Sequence, residues 1–302
     1  MALITNWLPP SRENWEFTVW LWQFFPLITL IQWLPQIDRI YTMGKTSTKS
    51  RFNIPGRIGW LTMEIPGPLV LLYIMSTLPT DALPWENKVM ASFYVVHYAY
   101  RAVVCPLIAP SMSPISPHIW LFAVLFQASN GLQFGGWLGG YGPTTRADWH
   151  YHEMNYKSGA RLELGMMIFL LGFVGNIFHD DELREIRRAA QRRIEREEQE
   201  EQERDVQGGE REKLKKKTVD KVYMIPKNGL FTFVLYPHYL CEWIEWSGFW
   251  LMGGSYCLPA RNFVINEVAT MLPRAVHGRR WYIERFGRDK VGNKKAVIPG
   301  IL

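Results

Sequence analysis

Seven apolar runs, at about 17–34, 58–78, 89–108, 119–138, 162–178, 230–251 and 256–272, constrain this chain more than any other feature of it. A helix needs about 20 apolar residues to cross a bilayer, and a barrel strand only about 10. In lipid every backbone polar group must be paired within the structure, so runs this long read as helices. Mean hydropathy over the whole chain is only −0.11, a value that suggests a water-soluble protein. That average mixes two populations, because residues 180–221 alone hold 14 of the 28 acidic and 13 of the 34 basic side chains. The expectation is an all-α, seven-transmembrane-helix integral membrane protein.

The fifth run is short and the first is interrupted by Pro26. The first also has an acidic flank and no small-residue cleavage site, which marks a retained span rather than a signal peptide. Orientation follows the basic residues. The first loop carries Arg39, Lys45, Lys49, Arg51 and Arg57, whereas the second has only Lys88, and eight basic residues follow Leu272. With seven spans these basic segments fall on one side, the cytosol, together with the C-terminus. The segment 188–218 reads as a charged cytosolic insertion within a single domain of 1–302, its first part extending the fifth helix up to the Gly208-Gly209 break. Its acids and bases are interleaved rather than segregated, which argues against a nucleic-acid partner. Cys105, Cys241 and Cys257 show no metal-ligand spacing and imply no disulfide framework.

Polar groups inside the runs are the candidate chemistry, since ionisable residues at membrane depth usually face the protein interior or a cavity. Glu64, in WLTMEIPGP, is either a packing contact at the bend before Pro66 or a ligand-facing carboxyl. In SFYVVHYAYRAVVCPLI, Tyr98 and Arg101 are three residues apart and His97 and Arg101 four, so they share a helix face. Arg101 either snorkels to the interface or faces the interior. A phenol and a protonated carboxyl on one cavity would offer two donors to a ligand carbonyl oxygen, an oxyanion-stabilising arrangement. Asn176, Asp180 and Arg184 repeat every four residues, with Arg187 one turn on; an ordinary charged helix exit explains the two arginines but not Asn176, which lies inside an apolar run. His238, Glu242, Glu245 and Trp246 recur at helical spacing in the sixth run. No third ligand of suitable geometry completes a metal site there, so they read as partners of a polar cofactor or of a tail arginine. The apolar ending VIPGIL looks like a segment docking back onto protein.

These residues, in this order, resemble the steroid 5α-reductase (3-oxo-5α-steroid 4-dehydrogenase) family of seven-helix membrane enzymes. The resemblance runs from about residue 44 to 302 apart from the insertion, and is carried by WLTMEIP, HYAYR, SNG, NIFHDDELR, YMIPKNGLF, PHYLCEWIEW and RRWYIERF…KKAVIP. It implies an oxidoreductase of the endoplasmic reticulum membrane that reduces the C4=C5 bond of a 3-oxo-Δ4-steroid with NADPH, bound on a cytosolic cofactor face. It implies that Glu64 and Tyr98 bind the C3 carbonyl and stabilise the enolate. Asn176, Asp180, Arg187, Tyr223, Glu242, Arg274 and Tyr282 match positions that contact the dinucleotide, joined by Lys45 (in MGK), Arg101 and His238. Trp60 and Trp246 match positions lining the steroid pocket.

The chain also departs from the family pattern. His238 stands near a family asparagine, Phe122 aligns with an arginine, Met224 replaces a common arginine, and the uncharged APSMSPISPH replaces a basic loop. NADP recognition normally uses a cation near the 2′-phosphate. Very-long-chain enoyl-CoA reductases and polyprenal reductases share the superfamily, with other lipid substrates. Isoprenylcysteine carboxyl methyltransferases share only a loosely similar closing region. A non-catalytic homologue is the remaining alternative, against which stands the retention of both Glu64 and Tyr98.

Overall fold

A computed structural model of the chain describes residues 2–34, 50–155, 160–208 and 223–302. The described residues are helical, with isolated β-bridges and no strand. Helix α1 (Arg12–Trp22) starts at Ser11, whose Oγ accepts from the Asn14 amide at 3.3 Å. The first apolar run then breaks where Pro26 predicts: α2 (Phe25–Thr29) has Pro26 in its first turn, where a missing N–H is tolerated, and a 3₁₀ turn, Leu30–Trp33, follows. The second run is likewise divided at Pro66 into α3 (Gly56–Glu64) and α4 (Pro66–Thr77). Helix α5 (Trp85–Tyr98) continues as a π-helical segment, Ala99–Val104, into α6 (Cys105–Ile108). Helix α7 (Pro117–Gly136) ends in a second π segment, Trp137–Tyr141, and α8 (Arg146–Asn155) follows. Helix α9 (Arg161–Gly208) runs without interruption through 48 residues, so the charged segment does extend the fifth helix. Helices α10 (Pro237–Gly253), α11 (Leu258–Phe286) and α12 (Arg288–Val291) complete the fold.

Three helical stretches among the described residues are long and apolar enough to cross a membrane: Gly56–Thr77, Trp85–Ile108 and Arg161–Glu197. They correspond to the second, third and fifth runs. Burial runs opposite to that of a water-soluble protein. Leu69 and Leu72 on α4, Leu121 and Leu125 on α7, and Met167 and Leu171 on α9 are exposed, whereas Glu64, His97, Asn176, Glu242 and Glu245 are buried. An apolar exterior, with ionisable groups held inside a largely apolar core, suits a lipid solvent.

Close packing of the helices depends on small residues, as expected where lipid supplies no hydrophobic drive between helices. A Cβ at Gly131 would overlap the Gly67 carbonyl oxygen, bringing α7 against α4, and one at Gly172 would overlap the backbone of Cys241 and Glu245, bringing α9 against α10. Polar anchors fix the remaining contacts. Asn87, fully buried, donates through Nδ2 to the Leu138 and Pro143 carbonyls at 2.8 Å each and accepts from Trp149 Nε1 at 2.8 Å. Asn87→Leu would leave two carbonyls and an indole N–H buried and unpaired, and is expected to destabilise the protein by about 3 kcal/mol, read as a fall in Tm in detergent.

The tail docks as its apolar ending predicts. Lys295 N donates to the Phe233 carbonyl, and Leu235 N and Tyr236 N donate to the Lys295 and Ala296 carbonyls, each at 2.9 Å. Ala296 and Val297 are buried against Trp243, Met271 and Ala275. The three cysteines are free.

Candidate functional site

A cavity of about 330 Å³ opens between α2, α3, α5, α7, α10 and α11. Its size lies at the lower end of the range for small-molecule sites, about 300–1,000 Å³. Glu64, from the end of α3, and Tyr98, from the end of α5, both line it. Glu64 is the last residue of α3, two positions before Pro66, and its side chain lines the cavity. Gln127 of α7 donates through Nε2 to Glu64 Oε2 at 2.5 Å and lines the cavity together with Tyr98. Tyr98 is 2% exposed, its ring 4.7 Å from that of Tyr94.

The π-helical segment determines where Arg101 goes. A π turn widens the helix and rotates the residues beyond it, and such turns recur at functional sites. The Arg101 guanidinium lies 5.3 Å over the Trp60 ring, and Trp60 Nε1 donates to the Arg101 carbonyl at 2.9 Å. Arg101 Nη1 stands 3.8 Å from both Asp180 Oδ2 and Glu242 Oε2. Asn176 Nδ2 donates to Glu242 Oε2 at 3.2 Å and to the His238 carbonyl at 3.0 Å. Of the alternatives for Arg101, the interior one holds: its side chain is 19% exposed and lines the cavity. Arg274, from α11, lines it as well.

The other candidates lie elsewhere. Tyr223, Arg187 and Tyr282 form a separate group toward the tail: the Tyr223 ring is 4.9 Å from Trp281, and Tyr282 stacks on Phe286 at 5.9 Å with Arg187 and Tyr223 as its charged and phenolic neighbours. Burial pushes the Tyr282 phenol up to about 12, so it stays a donor throughout the physiological range. The His238 imidazole packs 4.6 Å from the Tyr239 ring, away from the cavity wall. Trp246, 1% exposed, sits behind the wall with its ring 4.3 Å from Phe263 and 4.9 Å from His97. Lys45 lies outside the described residues. Arg184 is more than a charged helix exit: it is 5% exposed and donates to the Tyr100 hydroxyl at 2.6 Å.

Several cavity residues have no role predicted from the sequence. His97 lines the cavity and its Nδ1 lies 2.6 Å from Glu245 Oε1. Gln127, Glu267 and Thr270 also line it. Gln127 and Glu267 could have been found by the signal that found Glu64, a polar side chain within an apolar run. Phe122, in place of an arginine, gives its part of the wall an apolar surface. Among the described residues no group of three or more His, Cys, Asp or Glu side chains is placed to hold a metal ion.

A carboxyl and a phenol thus stand on the wall of a partly apolar cavity, with a guanidinium network of Arg101, Asp180 and Glu242 beside them, in a chain with helices apolar enough to cross a membrane. Comparison with known proteins gives the family. Residues 210–302 match the model of the 3-oxo-5-alpha-steroid 4-dehydrogenase family. An uncharacterized protein of Schizosaccharomyces pombe, C9.08c, is 33% identical over 278 residues, covering 86% of this chain and 90% of its own. Steroid 5-alpha-reductase DET2 of Solanum lycopersicum is 29% identical over 278 residues, covering 91% of each chain. The 3-oxo-5-alpha-steroid 4-dehydrogenase 1 of Bos taurus is 25% identical over 256 residues, covering 84% of each. The chain belongs to the steroid 5-alpha-reductase family of membrane oxidoreductases.

Proposed function

We propose that this protein reduces the C4=C5 bond of a 3-oxo-Δ4-steroid, or a related lipid enone, to the 5α product with NADPH. One observation carries the reading: Glu64 and Tyr98 line the same cavity as Arg101, whose guanidinium stands between Asp180 and Glu242. The donor set fits a dinucleotide. Arg101 and Arg274 are two guanidinium groups for a pyrophosphate, which matches their planar donor forks, and Asn176 and Glu242 offer an amide and a carboxylate to ribose or carboxamide groups. Arg187, Tyr223 and Tyr282, together outside the inner cavity, are placed to take the far end of a molecule longer than that cavity.

NADPH, when bound, would supply the hydride that reaches C5, and the enolate then takes a solvent-derived proton at C4 to give the saturated ketone. The chain's own residues act on the C3 oxygen. Tyr98 donates its phenolic proton in a hydrogen bond to that oxygen. Glu64, protonated, donates a second, and the Gln127 amide holds Glu64 Oε2 so that its other oxygen carries the proton. These donors are already in place in a cavity shielded from water, so they stabilise enolate charge as it develops without reorganising. The apolar walls, Phe122, Phe126 and Phe263 among them, exclude water and accept a hydrocarbon nucleus. We further read the seven apolar runs as seven spans of the endoplasmic reticulum membrane, with the cofactor side and the C-terminus in the cytosol.

The test is to incubate membranes containing the protein with NADPH and a 3-oxo-Δ4-steroid and to look for the 5α-reduced product by mass spectrometry. No product with NADPH still bound would move the substrate to other lipid enones; neither product nor NADPH binding would remove the reading. Glu242→Ala strips a partner from both Arg101 and Asn176 and is expected to weaken NADPH binding about tenfold or more, measured by titration. An unchanged affinity would take the cofactor off this face of α10.

A further inference from the structure

Two groups on the cavity wall, Glu267 and Thr270, are given no part in the proposed reaction. Glu267 and Thr270 lie three residues apart on α11, with Phe263 one turn before and Arg274 one turn after them. Helical spacing places all four on one stripe, and all four line the cavity. Glu267 Oε2 and Thr270 Oγ1 are shut off from solvent and have no hydrogen-bond partner among the described residues. Buried polar atoms in folded proteins are nearly always paired, so an unpaired one calls for a specific explanation.

The rest of the polar face of α11 shows what structural use looks like. Asn262 Nδ2 donates to the Val19 carbonyl at 3.0 Å, Asn266 Nδ2 donates to the Trp22 carbonyl at 3.3 Å, and His277 Nε2 meets the Gln32 carbonyl at 3.1 Å. These three side chains fasten the N-terminal helices to α11. Glu267 and Thr270 fasten nothing, and they face the cavity rather than a neighbouring helix. Their missing partner is one that a ligand would bring.

We propose that Glu267 and Thr270 form a second recognition point for the lipid substrate, one that takes a hydroxyl group. The proposal rests on the reading of the cavity as a steroid or lipid enone site and narrows that substrate class to molecules carrying an alcohol as well as the carbonyl. The chemistry is specific. A carboxyl group accepts hydrogen bonds whether or not it carries a proton, and a threonine hydroxyl donates or accepts. A ligand hydroxyl donates to Glu267 and accepts from Thr270, so it completes both. A second ligand carbonyl can only accept, so it cannot donate to Glu267. A bare hydrocarbon would leave both groups unpaired. A site built to pair with a hydroxyl discriminates strongly against the analogue that lacks it. A ribose hydroxyl of the cofactor has the same chemistry, and the test separates the two sources.

The full-length protein in detergent is titrated with 3-oxo-Δ4-steroids that differ only in the position of one hydroxyl, with their deoxy parent, and separately with NADPH. At least one hydroxylated steroid is expected to bind the wild type about tenfold or more tightly than the parent. Glu267→Leu and Thr270→Val should bring that ratio to within about twofold, Glu267→Gln should keep part of it, and NADPH affinity should stay unchanged. A wild type that binds all the steroids equally would overturn the proposal and leave the reductase reading intact. So would a Glu267→Leu protein that loses NADPH affinity instead of steroid selectivity, which would assign the pair to the cofactor. If no steroid binds, the reductase reading fails in its substrate, and the Tm of ligand-free Glu267→Leu decides the pair. A rise shows a carboxylate waiting for a hydroxylated ligand of another class, and a fall shows a structural role and ends the proposal.

Discussion

Tyr98→Phe is expected to lower turnover by about 10²–10³-fold, the usual effect of removing one donor from an oxyanion-stabilising pair. The substitution deletes one oxygen and keeps the ring, which is 2% exposed and packed 4.7 Å from Tyr94 and 6.3 Å from Trp246. Stability should therefore change little. The guanidinium network of Arg101 with Asp180 and Glu242 is untouched, so NADPH affinity should be that of the wild type. The measurement is steady-state turnover of a 3-oxo-Δ4-steroid beside an NADPH titration on the same preparation. Wild-type turnover in Tyr98→Phe would remove the phenol from the carbonyl-binding role and leave Glu64 to act alone.

Gly172 is where the largest structural effect is expected. A side chain there would meet the Glu245 nitrogen, the Cys241 carbonyl and the Glu245 Cα of α10. These are backbone atoms inside a regular helix and cannot swing away, so α9 and α10 would have to separate. Gly165 and Gly248 mark the same close approach two turns along: a Cβ at Gly165 would overlap the Gly248 carbonyl and one at Gly248 the Phe169 nitrogen. Gly172→Ala should lower Tm measurably, and Gly172→Leu should cost about 3 kcal/mol or more, a large fraction of the stability of a folded protein. Helix α10 also brings Glu242 to Arg101 and Glu245 to His97, so any Gly172→Ala protein that survives should bind NADPH more weakly. The readouts are the yield of monodisperse protein and its Tm. A Gly172→Leu protein with wild-type Tm would show that the two helices do not touch at this point.

The candidate site was legible in the sequence at several polar side chains within apolar runs, though Gln127 and Glu267 carried the same signal and were passed over. Glu64, Tyr98, Arg101, Asn176 and Glu242 stand out because a charge or amide at membrane depth is costly unless it faces the interior. Trp60 and Trp246 had no such signal of their own. Trp60 lines the cavity and holds the Arg101 carbonyl, while Trp246, at a comparable place in its helix, packs behind Tyr98. An aromatic residue is equally at home on a cavity wall and in the core behind it, and only the crossing of helices separates the two positions. Arg101 shows a different limit. Its spacing from Tyr98 places them on one helix face, but the π segment Ala99–Val104 changes the periodicity on which that argument depends.

Local rules suffice to make the chain helical and lipid-facing, to break its helices at Pro26 and Pro66, and to mark the polar groups within its apolar runs. Those rules are the length of an apolar run, the missing N–H of proline, and the cost of an unpaired polar group in hydrocarbon. Which groups meet is a matter of three-dimensional packing. His97 finds Glu245 across 148 residues, Gln127 finds Glu64 across 63, and Arg101 reaches both Asp180 and Glu242. Packing also divides the expected cofactor contacts between the inner cavity and the group around Tyr282, and leaves Glu267 Oε2 and Thr270 Oγ1 facing the cavity without hydrogen-bond partners among the described residues. Pairings of this kind depend on how closely and at what angle helices cross, which glycines far apart in sequence, such as Gly172 and Gly248, determine together.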